Sequence, residues 1–238
     1  MDAAGGELAG RLSAIRERIS AAAIRSGRRP EDIRLIAVTK GVDSARVRQA
    51  IDLGVDAIGE NRVQEARAKL LDIGRGPGSG VEWHMVGHLQ TNKVRAALEI
   101  FDVIQSLDRW KLASELDAHA RKRGMPVDAL VQVKVSDEET KSGLDPSEVL
   151  DFVSRVAAEL PGLRIVGLMG IAPYFDDPEK TRPYFRRVRV LGLMIEEARI
   201  PGVAMQYLSM GMTNDFEVAI EEGSNMVRIG TGIFGPRR

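Results

Sequence analysis

A closed (β/α)8 barrel of the TIM-barrel class, with one additional N-terminal helix, is the fold this sequence predicts, and three observations predict it. Short apolar runs alternate with longer amphipathic ones along the chain; the apolar runs number eight; and several of the amphipathic stretches stop at a glycine. Strands separated by helices pair in parallel through right-handed crossovers. Eight such units in about 200 residues are what a closed barrel needs. An open doubly wound sheet fits the same alternation and is the competing architecture.

The elements follow in order. A helical leader spans roughly residues 7–26 and is expected to cover the bottom or side of the barrel. The strand candidates are LIAVTK (35–40), DAIGEN (56–61), EWHMVG (82–87), FDVIQSL (101–107), ALVQVKV (129–135), RIVGLMG (164–170), MQYLSMG (205–211) and NMVRIGT (225–231). Helix-period segments lie between them at 44–54, 61–74, 91–100, 108–124, 145–160, 178–198 and 214–223, with Gly54, Gly74, Gly124 and Gly223 as stops. RGPGSG (75–80) is the one Gly-rich loop expected to be mobile. Neither a linker nor a repeat marks a boundary, so residues 1–238 read as a single domain.

Composition narrows the function classes. Acidic and basic residues are equal at 34 each, which argues against a general nucleic-acid binder, and Arg186, Arg187 and Arg189 read as the wet side of a helix. With no cysteine and three histidines, no disulfide, thiolate zinc site or other metal centre is expected. The N-terminus lacks a basic region followed by an apolar block, and no segment approaches the ~20 apolar residues of a membrane span. A cytoplasmic protein with no membrane partner is expected.

In such a barrel the chemistry gathers at the C-terminal ends of the strands. Lys40 ends the first strand, on the same face as Val38 and Ile36, so its amine stands at the mouth if that face points inward. A lysine that merely snorkels into the next loop is the plainer reading. SMGMTND (209–215) and IGTGIFG (229–235) follow strands seven and eight, the two loops that often bind phosphate in this architecture. Gly211 and Gly230 let the backbone approach a ligand, and Ser209 and Thr231 add hydroxyl donors, although ordinary turn chemistry would use the same residues. Asn214 with Glu217 reads as a helix N-cap beside them. Arg228 lies in an apolar run, on the face opposite Val227 and Ile229, and a buried guanidinium needs an acceptor. Strands one and eight are neighbours in a closed barrel, so Arg228 and Lys40 should be close. A nearby cation favours the neutral, nucleophilic form of an amine. Amine, phosphate loops and an arginine for a ring nitrogen together make a site for pyridoxal 5′-phosphate (PLP).

These blocks carry a family resemblance. AVTKGV around Lys40, IGENRVQEA (58–66), WHMVGHLQTNK (83–93), GLMGIAP (167–173), LSMGMTNDFEVAI (208–220) and VRIGTGIFG (227–235) resemble the pyridoxal phosphate homeostasis proteins, in order over nearly the whole chain. Members are single-domain barrels similar to the N-terminal domain of alanine racemase. The resemblance implies a PLP aldimine at Lys40, phosphate held by Ser209, Gly211, Gly230 and Thr231, Arg228 directed at the pyridine nitrogen, and Asn61 and Met210 bordering the cofactor. His88, and Gly232 where alanine is common, depart from the family pattern without removing a ligand.

An arginine at the ring nitrogen disfavours the pyridinium and weakens the electron sink. The sequence ends soon after strand eight, so no second domain with a catalytic tyrosine is expected. Of Tyr174, Tyr184 and Tyr207, Tyr174 is the one placed to reach the mouth, the others reading as packing. The expected function is a monomeric PLP carrier and buffer in vitamin B6 homeostasis, with no catalytic residue and with apo-enzymes as acceptors. The alternatives are a PLP-dependent racemase of small amino acids and a phosphosugar-type barrel using Lys40 as a Schiff-base lysine without cofactor. His84 reads as scaffold, His88 as an exposed loop residue, His119 as a solvated helix residue, and Lys134 as core-adjacent. Lys93 is a minor alternative to Lys40, and Lys141 stands on a loop at the active face, where it would accept or relay PLP.

Overall fold

The computed structural model describes residues 3–74, 80–136 and 142–236. Lys141 and all of the Gly-rich loop except Gly80 lie outside them. Eight parallel strands close a barrel in sequence order: β1 (Arg34–Val38), β2 (Ala57–Glu60), β3 (Glu82–Met85), β4 (Val103–Leu107), β5 (Val127–Val133), β6 (Leu163–Gly170), β7 (Tyr207–Ser209) and β8 (Met226–Ile229). β1 pairs with β2 on one side and with β8 on the other, from Arg34 opposite Met226 to Ala37 opposite Ile229, which excludes the open sheet.

Period-two alternation sorts each strand into an inner and an outer face. Val227, Ile229, Ala37 and Ile58 belong to the large core between barrel and helices. Ile36, Ala57, Val103, Leu130, Val166, Met169 and Met226 form a smaller cluster that fills the barrel. β3 and β7 give that inner cluster no buried apolar residue. Their inward positions are His84, in register with Val103, and Ser209, in register with Met226.

The outer ring comprises α2 (Ser44–Asp52), α3 (Val63–Ile73), α4 (Val94–Leu98), α5 (Trp110–Arg123), α6 (Val149–Glu159), α7 (Arg182–Ala198) and α8 (Phe216–Glu221). The additional helix, α1 (Ala3–Arg25), buries Leu8, Leu12, Ile15, Ile19 and Ala22, a stripe of three- and four-residue steps. It packs on α8 and on the short α9 (Thr231–Phe234), so it covers the side of the barrel. Arg18 and Arg25 fix it there through Glu217 at 2.7 Å and Glu221 at 3.0 Å, and the Arg18 guanidinium lies 4.6 Å from the centre of the Phe216 ring.

Several elements differ from the sequence expectation, the first strand among them, which ends at Val38 and leaves Lys40 beyond it. The seventh strand is shorter, and beside it the Asn225 side chain accepts from Leu208 N–H at 2.8 Å and donates to Gln206 O at 2.7 Å. The eighth strand stops at Ile229, and TGIF becomes α9 instead of loop. The segment 91–100 is a 3-10 turn, Thr91–Lys93, before α4. The N-cap of α8 is Asp215, not Asn214, and its carboxylate accepts from Met212 N–H at 2.6 Å, closing the preceding turn.

Gly167 lets β6 approach β7: a Cβ there would sit 2.0 Å from Tyr207 O. Gly167→Ala is expected to lower the free energy of unfolding by about 2 kcal/mol or more, read from urea melts, because overfilling cannot be relieved by a flexible side chain. An unchanged midpoint would show that these strands separate freely.

Candidate functional site at the barrel mouth

The C-terminal ends of the strands enclose a cavity of about 490 Å³, walled by Val38, Asn61, Val86, Ile171, Tyr174, Thr213, Asp215, Arg228, Gly230 and Thr231 among others. A larger hollow of about 680 Å³ lies at the opposite rim, under α1, and contains none of the predicted site residues. Of those eight residues, Asn61, Arg228, Gly230 and Thr231 line the mouth cavity, whereas Lys40, Ser209, Met210 and Gly211 do not.

Lys40 follows Val38, a residue of the cavity wall, by two positions. β1 ends at Val38, and Val42 N–H donates to Thr39 O at 2.9 Å, making a tight turn with Lys40 and Gly41 at its corner. Gly41 has φ 72°, which the third position of such a turn favours and a side chain would strain. Ile36 faces into the barrel and Val38 lines the cavity, so the inner face of β1 leads to the half-buried Lys40. No hydrogen bond or ion pair holds its amine among the described residues.

Arg228, in register with Ile36, faces inward from β8 and is 4% exposed. Its guanidinium donates to Ser209 O at 2.7 Å, Ser209 Oγ at 2.5 Å and Gly170 O at 2.9 Å, the acceptors that a buried arginine requires. Burial lowers its pKa to about 10, with Asp215 opposing, so it remains charged at neutral pH. Ser209 donates to Gln105 Oε1 at 2.7 Å. That fixes the Gln105 amide, whose Nε2 donates to His84 Nδ1 at 2.9 Å. The His84 proton therefore sits on Nε2, 3.4 Å from Glu82 Oε1, and Glu82 pairs with Arg34 at the lower rim. A hydrogen-bonded string thus runs down the barrel interior from Arg228 to His84, whose buried Nε2 makes no hydrogen bond among the described residues. Gln105 was not singled out from sequence; its signal was a lone amide within an apolar run.

The two phosphate-type loops meet at the cavity wall. Thr231 Oγ1 donates to Thr213 Oγ1 at 3.2 Å, and Gly232 N–H donates to the same oxygen at 3.3 Å. Thr213, also missed in the sequence reading, is the hydroxyl between them. Gly211 is required for a different reason from the one expected: at φ 90°, its missing Cβ would lie 2.7 Å from Ala219 Cβ and 2.8 Å from Phe216 Cα, so it lets β7 run onto α8. The Met210 side chain packs in the outer core, so any border it makes with a ligand is through its backbone. The Ser209 hydroxyl is wholly buried and engaged below Arg228. Asn61 is held from behind by Gly87, where a Cβ would fall 2.4 Å from Asn61 O.

Tyr174 lines the mouth and is 73% exposed. Tyr184 stacks on Phe175 at 5.9 Å, and Tyr207 packs against the inner cluster. His88 is exposed, with Nδ1 3.3 Å from Asp108, and His119 lies 3.4 Å from Glu115 along α5. Lys93 ends the 3-10 turn before α4, and Lys134 lines a smaller side cavity with His88 and Gln132. Among the described residues no cluster of histidine, aspartate and glutamate is set to hold a metal ion, and no helix is long and apolar enough to cross a membrane.

The alanine racemase N-terminal domain family matches residues 11–238. A pyridoxal phosphate homeostasis protein of Aquifex aeolicus is 44% identical over 96% of this chain and 97% of its own. One from Escherichia coli is 40% identical, covering 97% of each chain. The chain belongs to the pyridoxal phosphate homeostasis protein family. The structure of PipY from Synechococcus elongatus, with PLP bound, superposes with a TM-score of 0.82 at 35% identity, over 96% of this chain and all of that one.

Burial, with Arg34 adding to it, pushes the His84 pKa down to about 3 from the ordinary 6.5. Between those values the unfolded chain binds a proton that the folded one refuses, so this contribution to stability is complete above pH 6.5 and is lost as pH falls. Urea melts at about pH 7 and about pH 5 should show His84→Gln losing about 2 kcal/mol less than the parent over that interval. Equal losses would mean that His84 does not titrate in the unfolding equilibrium.

Proposed function

We infer that the chain binds PLP at the barrel mouth, covalently through Lys40, and keeps it as a carrier and buffer serving vitamin B6 homeostasis. The observation that carries this reading is the register of β8 against β1, which sets a charged guanidinium in the cavity floor beside the strand leading to Lys40. The wall chemistry fits the cofactor: hydroxyls from Thr213 and Thr231 converge where two loops meet, beside Gly230, and suit a phosphate. Asp215 lies in the same wall, but its carboxylate is occupied by Met212 N–H, and burial raises its pKa, both of which reduce its repulsion of an anion.

When bound, PLP supplies an aldehyde for an amine and a conjugated ring. Lys40 provides the amine, Thr213, Gly230 and Thr231 orient the phosphate, Asn61 borders the ring, and Ser209 with Gly170 aims Arg228 at its nitrogen. A guanidinium is a donor only, so it favours the unprotonated ring and withholds the electron sink that carbanion chemistry uses. The rim is also wet, with Tyr174, Met212, Asn214 and Thr231 all exposed. An open mouth suits loading and release, whereas racemisation calls for a sheltered site and a positioned second acid. A relative bearing the homeostasis name over the same length supports the carrier role, and apo-enzymes are the acceptors we propose.

Titrating the apoprotein with PLP should produce a visible absorption band that Lys40→Ala lacks, and borohydride should add the pyridoxyl mass to the Lys40 peptide. The loaded protein should exchange the α-proton of alanine no faster than free PLP. No band, or the mass on another lysine, would contradict the site; accelerated exchange would favour the racemase.

A further inference from the structure

Behind the Lys40 turn lies a buried charged cluster that the proposed binding chemistry does not use. Lys69, on α3 and 4% exposed, donates to Thr39 O at 2.5 Å, to Glu60 Oε1 at 2.5 Å and to Glu65 Oε1 at 2.9 Å. Thr39 Oγ1 donates to the same Glu60 oxygen at 2.5 Å, and Gly41 N–H donates to Glu65 Oε1 at 2.5 Å. Glu60, at the end of β2, is fully buried, and its second carboxylate oxygen has no partner.

Such a cluster is a poor way to gain stability, because well-packed apolar residues of similar volume serve as well or better. Its geometry has a narrower target. Lys69 grips the carbonyl of the peptide entering Lys40, and Glu65 grips the N–H of the peptide leaving it. A turn with glycine at its third position interconverts readily with its alternative by flipping the central peptide, here Lys40–Gly41. Anchoring Gly41 N–H on Glu65 opposes that flip, and anchoring Thr39 O on Lys69 fixes the other side of the same Cα.

We propose that Lys69 and Glu65, set by Glu60, are positioning residues that hold the Lys40 backbone so that its amine is presented to the mouth cavity. The inference rests on the reading of Lys40 as the attachment point. In that step the Lys40 nitrogen bonds to the aldehyde carbon, and its two N–H hydrogens leave with the carbonyl oxygen as water. A wandering amine loses effective concentration towards an aldehyde already seated by its phosphate.

The test compares covalent with non-covalent binding. Stopped-flow mixing of apoprotein with PLP reads the rate at which the visible band appears, and pyridoxine 5′-phosphate, which lacks the aldehyde, reads the rest of the site. Glu65 is partly exposed, so its variants keep the question open even if Lys69→Met fails to fold. Glu65→Ala and Lys69→Met should slow the band by about tenfold or more, with pyridoxine 5′-phosphate affinity within about twofold of the parent. Glu65→Gln, which keeps an acceptor for Gly41 N–H, should recover most of the rate. Rates unchanged in Glu65→Ala, or an equal loss of pyridoxine 5′-phosphate affinity, would overturn the inference while leaving the Lys40 reading intact. Borohydride labelling of a different lysine in the parent would remove both.

Discussion

The pairing of β1 with β8 is the constraint on which the rest of this molecule depends. It joins segments about as far apart in sequence as the chain allows, so it carries a large loop-closure cost, and it is repaid only because the crossover units between them bury their apolar faces together. Without it, the sheet would have two free edges, with Lys40 on one and the Arg228 loop on the other. With it, the register from Arg34–Met226 to Ala37–Ile229 fixes how the first and last strands meet.

Closure also creates the problem that the interior has to solve. Arg228 loses its water, and a guanidinium without acceptors would be far too costly there. Two backbone carbonyls and a hydroxyl replace the water, and each depends on a neighbouring strand: Gly170 ends β6 and Ser209 ends β7. The hydroxyl then needs an acceptor of its own, which brings in Gln105 and, through it, a neutral His84. Buried charge at the mouth is therefore paired with uncharged polarity deeper in the barrel, and a protonated His84 would place a second buried cation below the first.

Much of this was legible in the sequence. Alternation in VRIG placed Arg228 opposite Val227 and Ile229, and the barrel face agrees, because Met226 lies in the inner cluster and Val227 and Ile229 in the outer. The parts that were not legible share a cause. A serine or glycine in a loop signals a turn but not the direction of its hydroxyl or its missing Cβ. Ser209 reads as a ligand until the register of β7 turns its oxygen towards Gln105. Gly211 reads as a phosphate glycine until α8 is seen packed against it. Met210 alternates outward for the same reason that Ser209 faces in. Asn214 and Asp215 are both good caps by type; Asp215 takes the position, with its carboxylate turned back to Met212 N–H in the preceding turn and not to a helix N–H. Lys69 gave the weakest signal of all, since a lysine on an amphipathic helix is ordinarily solvated and only the fold reveals that it lies against β1 and β2.

The central claim is that the turn after β1 and the loops after β7 and β8 share one small chamber with Arg228 in its floor. A crystal structure of the protein grown with PLP measures this most directly. The account predicts continuous density from Lys40 Nζ to the cofactor, the ring nitrogen within hydrogen-bonding distance of Arg228, and the phosphate between Thr213 and Thr231. Phosphate density at the opposite rim, or a link to Lys93 or Lys134, would contradict it.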